Sequence, residues 1–132
     1  MKLKILSILL FLLPIPILAG TVVYTDNQHL PGNLPSGVTV IFLDSPERLQ
    51  TQMFSQLSAD PKQAELQAQR VMSSNEWHQA EQKLVASYWD VIHAWELGIK
   101  KIPAVVFDER DVVYGTTDVA HALTLRNLEG RE

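Results

Sequence analysis

The sequence predicts an α/β domain in which a four-stranded mixed sheet is packed by three to four helices. Three observations lead there. Short β-branched runs occur at residues 21–25, 38–43, 104–107 and 112–114, two on each side of a long central stretch. That stretch carries repeated helix-start signals and one long apolar stripe at helical spacing. An Ile-Pro step, Ile102-Pro103, leads directly into the third run. A chain of 132 residues is enough for one domain of ordinary size and too short for two.

The first twenty residues stand apart. Lys2 and Lys4 precede an apolar run from Ile5 to Leu18, which ends in Leu18-Ala19-Gly20. This is the pattern of a secretory signal peptide, with cleavage expected after Ala19. The run falls short of the roughly 20 residues a membrane-spanning helix needs, and Pro14 and Pro16 interrupt its second half, so a permanent anchor is the weaker reading. Periplasmic localisation with no stable membrane insertion after cleavage is the expectation, and residues 21–132 form the single domain.

Without the leader, nine basic residues face fifteen acidic ones, and such a surface repels the phosphates of nucleic acid. The chain has no cysteine. Disulfides, thiolate nucleophiles and cysteine-ligated metals are therefore excluded, and an exported domain of this size must be stabilised by packing, alone or with a partner subunit.

Thr21–Thr25 and Val38–Leu43 read as buried strands. The 12 residues between them, Asp26 to Gly37, are rich in proline and glycine, which favour turns and resist helix. Such a loop fits either two parallel strands or a wide antiparallel hairpin. Ser45-Pro46-Glu47 starts a helix with serine as the expected N-cap, and Leu49, Met53, Phe54 and Leu57 share one face. Asp60-Pro61 starts a second, glutamine-rich helix. Ser73-Ser-Asn-Glu76 has the form of a capping box with Ser73 as cap. It opens a third helix, whose Trp77, Leu84, Tyr88, Val91 and Trp95 form the expected packing stripe, closed by Gly98. Trp77 and Trp95 read as core. Trp89, at the margin of the stripe, reads either as core or as an exposed contact for a partner.

Ala104–Phe107 and Val112–Tyr114 flank a four-residue polar connection and so predict an antiparallel hairpin. Gly115-Thr-Thr-Asp118 caps a last helix with Val119, Ala122 and Leu123 on one side, and the tail from Arg126 onward reads as frayed.

The segment Gly98-Ile-Lys-Lys-Ile-Pro-Ala-Val-Val-Phe107 combines a helix end, a short basic turn and Ile-Pro before a buried strand. That is the arrangement in which thioredoxin-like domains keep a cis proline, and a cis bond before Pro103 is expected here. A proline at the first position of a strand is also tolerated in the trans form.

Together with Val22-Val-Tyr-Thr-Asp26, the Gly37-Val-x-Val stretch ending in Leu43-Asp44, and Val112-Val-Tyr-Gly-x-x-Asp-Val-Ala120, the segment Ala94-Trp-Glu-Leu-Gly-Ile-x-Lys-Ile-Pro-Ala-Val-Val-Phe-Asp108 resembles a family of integrating conjugative element proteins of unknown molecular activity. The resemblance spans the chain after the leader. It implies a thioredoxin-like fold and similarity to the exported proteins that accompany conjugative type IV secretion. It brings no catalytic residues with it.

Where thioredoxins carry Cys-x-x-Cys at the start of a helix, this chain has Asp26-Asn27-Gln28-His29-Leu30-Pro31. The first helix is expected to be missing, and disulfide exchange is excluded because it needs a thiolate. A shallow groove between this loop and Pro103 remains as a place where an extended peptide could pair with the strand edge. Asp26, His29, Ile102, Pro103 and Trp89 are the candidate partner-binding residues.

Other chemistry is sparse. His29, His78, His93 and His121 are scattered, and His93, one turn from Asp90 and Glu96, reads as part of a solvated helix face. Ser73, Ser74, Thr116 and Thr117 lack the glycines of a nucleophile elbow and read as caps. Asp108, Glu109 and Asp111 read as a solvated turn before a weak calcium site.

No catalytic, cofactor-binding or metal-ligating residue is expected. The leading expectation is a non-enzymatic periplasmic accessory or assembly protein of an integrating element's conjugation apparatus, with another envelope protein as partner. Its rivals are a divergent thioredoxin-like enzyme or chaperone acting through His29 and Asp26, and a structural subunit of the conjugation channel.

Overall fold

The computed structural model describes residues 20–130. The expected signal segment and its cleavage point therefore lie outside the described residues, apart from Gly20. The elements are β1 (Thr21–Thr25), β2 (Thr39–Phe42), α1 (Ser45–Phe54), α2 (Pro61–Met72), α3 (Asn75–Glu96), β3 (Ala104–Phe107), β4 (Asp111–Tyr114) and α4 (Val119–Glu129).

The four strands form one mixed sheet in the order β2-β1-β3-β4. β1 and β2 are parallel, with Val23 opposite Val40, which settles the alternative that loop length left open. β3 is antiparallel to both β1 and β4, pairing Tyr24 with Ala104 and Val105 with Val113. Residues 26–38 connect β1 to β2 without a helix, so this is a thioredoxin-like sheet that lacks the first helix.

Strand alternation divides the core in two. On one face Val23, Val105, Phe107 and Val113 pack with Val119 and Ala122 of α4. On the other, Tyr24 and Val106 pack with Ala94 of α3, joined by Ile41, Leu97, Ile99 and Ile102. β3 is buried along its whole length, as a central strand covered on both sides should be.

The stripe that α3 buries differs from the expected one. Trp95 is 79% exposed and Trp89 64%, so neither belongs to the core, and Tyr88 is exposed as well. The inward positions are Trp77, Ala80, Leu84, Ser87, Val91 and Ala94, which are buried or half-buried at alternating steps of three and four. Small side chains at positions 80, 87 and 94 let the helix approach its neighbours closely. The stripe read from large side chains merged this inner seam with an outer one. Trp77 does pack, its ring 5.8 Å from that of Phe54.

Helix boundaries follow local hydrogen bonding. The N-cap of α1 is Asp44 rather than Ser45, and its side chain makes no capping bond. Asp60 caps α2 as expected. The cap of α3 is Ser74, whose Oγ accepts from the Trp77 amide at 3.2 Å; Ser73 instead donates to the Gln69 carbonyl of α2. The last turn of α3 closes as a Schellman motif, with the Ile99 amide donating to Ala94 O and the Gly98 amide to Trp95 O. Gly98 supports this with φ +75°.

The β3–β4 connection has three residues, one fewer than expected, because Asp111 already pairs with Phe107. Asp108 and Glu109 both take φ +53°, and the Arg110 amide donates to Phe107 O, as in a type I′ turn. The C-terminal stretch is helical to Glu129 and is not frayed at Arg126. Arg126 binds Asp111 through Nε and Nη2 at 2.8 and 2.7 Å and lies over the Phe107 ring at 4.9 Å. On the other side of the tip, His93 Nε2 of α3 lies 3.1 Å from Glu109 Oε1, so His93 is paired rather than merely solvated.

Candidate functional site

The parallel pair ends where the chain's distinctive residues gather. β1 runs into Thr25-Asp26 and β2 into Leu43-Asp44, and the Leu43 amide donates to Thr25 O at 2.9 Å, keeping the two strand ends together. Extending the β1–β3 register by one step sets Pro103 opposite Thr25. The Ile102–Pro103 bond is cis, as expected. In open α/β sheets, the carboxyl ends of parallel strands are where ligand sites form.

Asp26 organises the turn that follows β1. Its Oδ1 accepts from the Gln28 and His29 amides at 3.0 and 2.9 Å, which makes an Asx turn, and lies 2.7 Å from His29 Nδ1. The His29 ring is the main reason the Asp26 carboxyl is held below the usual carboxylate range, with the two amides adding to the effect. The buried Thr25 hydroxyl donates to the His29 carbonyl at 2.6 Å and closes the turn. His29 is thus fixed at both ring and backbone while its side chain stays half exposed.

Asp44 ties this turn to α1. Its Oδ2 accepts from the Asn27 amide at 3.2 Å and lies at the same distance from Arg48 Nε. Asp44 Oδ1 is buried with no hydrogen-bond partner among the described residues. Neither Asp44 nor Arg48 was a candidate from sequence. The signal available was an acid and a base four residues apart across a helix start, a spacing that usually denotes a surface ion pair.

The five candidates from sequence do not form one group. Asp26, His29 and Pro103 belong to elements that meet at this end of the sheet. Ile102 packs into the cluster around Tyr24, Ala94 and Val106 and serves as core. Trp89 lies on the outward face of α3, in a shallow depression shared with His78, Glu81 and Val85.

The site offers hydrogen-bonding and charged groups: one carboxylate–imidazole pair, one carboxylate–guanidinium pair and the strand ends. Thiol chemistry is excluded by a sequence without cysteine. Among the described residues, no group of three histidine and acidic side chains is placed to hold a metal ion. None of the described helices is long and apolar enough to cross a membrane.

Comparison with curated proteins finds no match, and neither does comparison with solved structures. Residues 18–128 match a family described as "Protein of unknown function (DUF1525)". That span takes in every strand and nearly all of α4, from the strand ends that carry Asp26 and Asp44 to the Arg126 anchor, and on it the chain belongs to the DUF1525 family.

Proposed function

We propose that the protein is exported to the periplasm and acts there without catalysis, as an accessory or assembly factor that holds another envelope protein. Its setting is the type IV secretion and mating apparatus of an integrating conjugative element. One observation carries the reading: a thioredoxin-like sheet has no thiol anywhere, yet at the carboxyl ends of its parallel strands it keeps a firmly built turn, Asp26–His29, beside Pro103. A scaffold of this kind can still bind an extended segment by backbone hydrogen bonds after the reactive group is gone. The apolar segment after Lys2 and Lys4 supports export. The sequence likeness of residues 94–120 supports the conjugative setting.

Deleting the gene tests the setting, and a strain that mates at wild-type frequency would count against it. Replacing residues 26–31 with a short glycine–serine linker tests the surface. Partner capture from envelope extracts should fall at least tenfold while the thermal transition is retained. The 2.7 Å Asp26–His29 pair also favours a second reading, in which that dyad performs acid–base chemistry. Asp26→Ala combined with His29→Ala tests this second reading, since unchanged transfer removes it.

A further inference from the structure

Helix α3 carries two apolar seams, one packed by its own chain and the other largely uncovered. The inner seam, from Trp77 to Ala94, packs against α1, α2 and the sheet. The outer seam consists of Val85, Tyr88, Ile92 and Trp95 at steps of three, four and three, with Trp89 beside it. All five side chains are exposed, Trp95 most of all. Isolated exposed apolar residues are ordinary, but five on one helical face, two of them tryptophan, form a patch.

We propose that this seam binds the same seam of a second copy of the chain, so that two α3 helices pack antiparallel across a two-fold axis near residue 90. The area suits a dimer. The five side chains offer on the order of 600 Å² per copy, or about 1,200 Å² for the pair, the lower bound of specific interfaces. A two-fold contact requires the surface to complement itself. In the antiparallel register Val85 faces Trp95 of the other copy and Tyr88 faces Ile92, so along the seam a large ring meets a smaller side chain, while the two Trp89 rings come together beside the axis. A parallel pair would set Trp95 on Trp95 and leave a gap between the two Val85 side chains.

Charge favours the same orientation. Glu81 lies one turn before Val85, and Lys100 follows the end of α3 by four residues, so antiparallel packing sets Glu81 of each copy at the end where the Lys100 side chain of the other leaves the helix. Neither belongs to an ion pair among the described residues of its own chain. Parallel packing would place Glu81 beside Glu81. The Tyr88 hydroxyl accepts from Gln50 Nε2 of α1, so this ring can be covered without leaving a polar atom unsatisfied.

Sedimentation equilibrium on protein recovered from cells expressing the full chain tests the proposal. The wild-type protein should be dimeric at micromolar concentration. Trp89→Glu combined with Trp95→Glu should raise the dissociation constant by at least about a hundredfold with the circular dichroism unchanged. Glu81→Lys should weaken the dimer several-fold, and adding Lys100→Glu should restore it. A wild-type protein that stays monomeric at about 100 μM overturns the proposal. So does a dimer indifferent to both tryptophan changes, or a monomer that instead sediments with neutral phospholipid vesicles. Failure of Lys100→Glu to restore the pair overturns the antiparallel register.

Discussion

Arg126 of α4 places two guanidinium nitrogens, Nε and Nη2, within 2.8 Å of one oxygen of Asp111 on β4, while its plane covers the Phe107 ring. Asp108 adds a longer contact at 3.5 Å. One side chain thus fastens the last helix to the hairpin by charge and by ring contact together.

Arg126→Ala should therefore lower the melting temperature, and by an amount that depends on pH. The hydrogen bond from Arg126 is the main cause holding the Asp111 carboxyl below its ordinary range. Its contribution is complete above the unfolded-state pKa and disappears as pH falls through the lower folded-state value. The gap between wild type and variant should be widest near neutral pH and narrow below the carboxylate range, though the lost ring contact persists at every pH. Thermal melts from pH 3 to 7 measure this, and a gap that widens toward acid would contradict it.

Val119 is fully buried against the sheet face that α4 covers. Val119→Ala should cost about 2–3 kcal/mol, from lost burial and the cavity left behind. Urea denaturation with an unchanged m-value is the check.

The two serines between α2 and α3 should respond unequally. Ser74→Ala removes the cap of α3 and should cost about 1 kcal/mol. Ser73→Ala removes only an exposed bond to the Gln69 carbonyl and should cost about 0.5 kcal/mol or less. Equal losses in chemical denaturation would restore Ser73 as the cap.

The tryptophans should separate in the same way. In dilute protein, Trp77→Ala should destabilise by about 2 kcal/mol or more, because its ring is packed on Phe54. Trp95→Ala should change stability by about 0.5 kcal/mol at most. Iodide should quench Trp95 emission far more than that of Trp77.

The Asx turn should survive to lower pH than an ordinary carboxylate would allow, since His29 holds the Asp26 carboxyl down. The Gln28 and His29 amides should keep their hydrogen-bonded NMR shifts on acidification until Asp26 takes up its proton, then lose them together. Asp26→Ala should show the released shifts at neutral pH.

Much of the fold was legible from local chemistry. The β-branched runs located all four strands, because a strand covered on both faces needs little more than apolar β-formers. Asp60, Asp118 and Gly98 marked helix ends through side-chain or backbone geometry confined to a few residues. The outward turn of Trp95 was not legible. Helical spacing gives directions around an axis, but which direction faces inward depends on how closely neighbours can approach, and here Ser87 and Ala94 decide that. Asp44 and Arg126 were missed for a related reason: their partners, Asn27 and Asp111, are distant in sequence and become neighbours only once the sheet has formed. The Asp26–His29 turn was found because both residues lie within one short segment.

In place of a first helix, β1 and β2 are joined by a run of prolines and glycines anchored near its start by Asp26 and Asp44. Closing a longer loop costs only about 0.6 kcal/mol for each doubling of its length. Beyond those anchors and the proposed binding segment, the stretch from Gly32 to Gly37 is where insertions and substitutions can accumulate while both strands keep their places. The rim of the sheet can thus change independently of the interior.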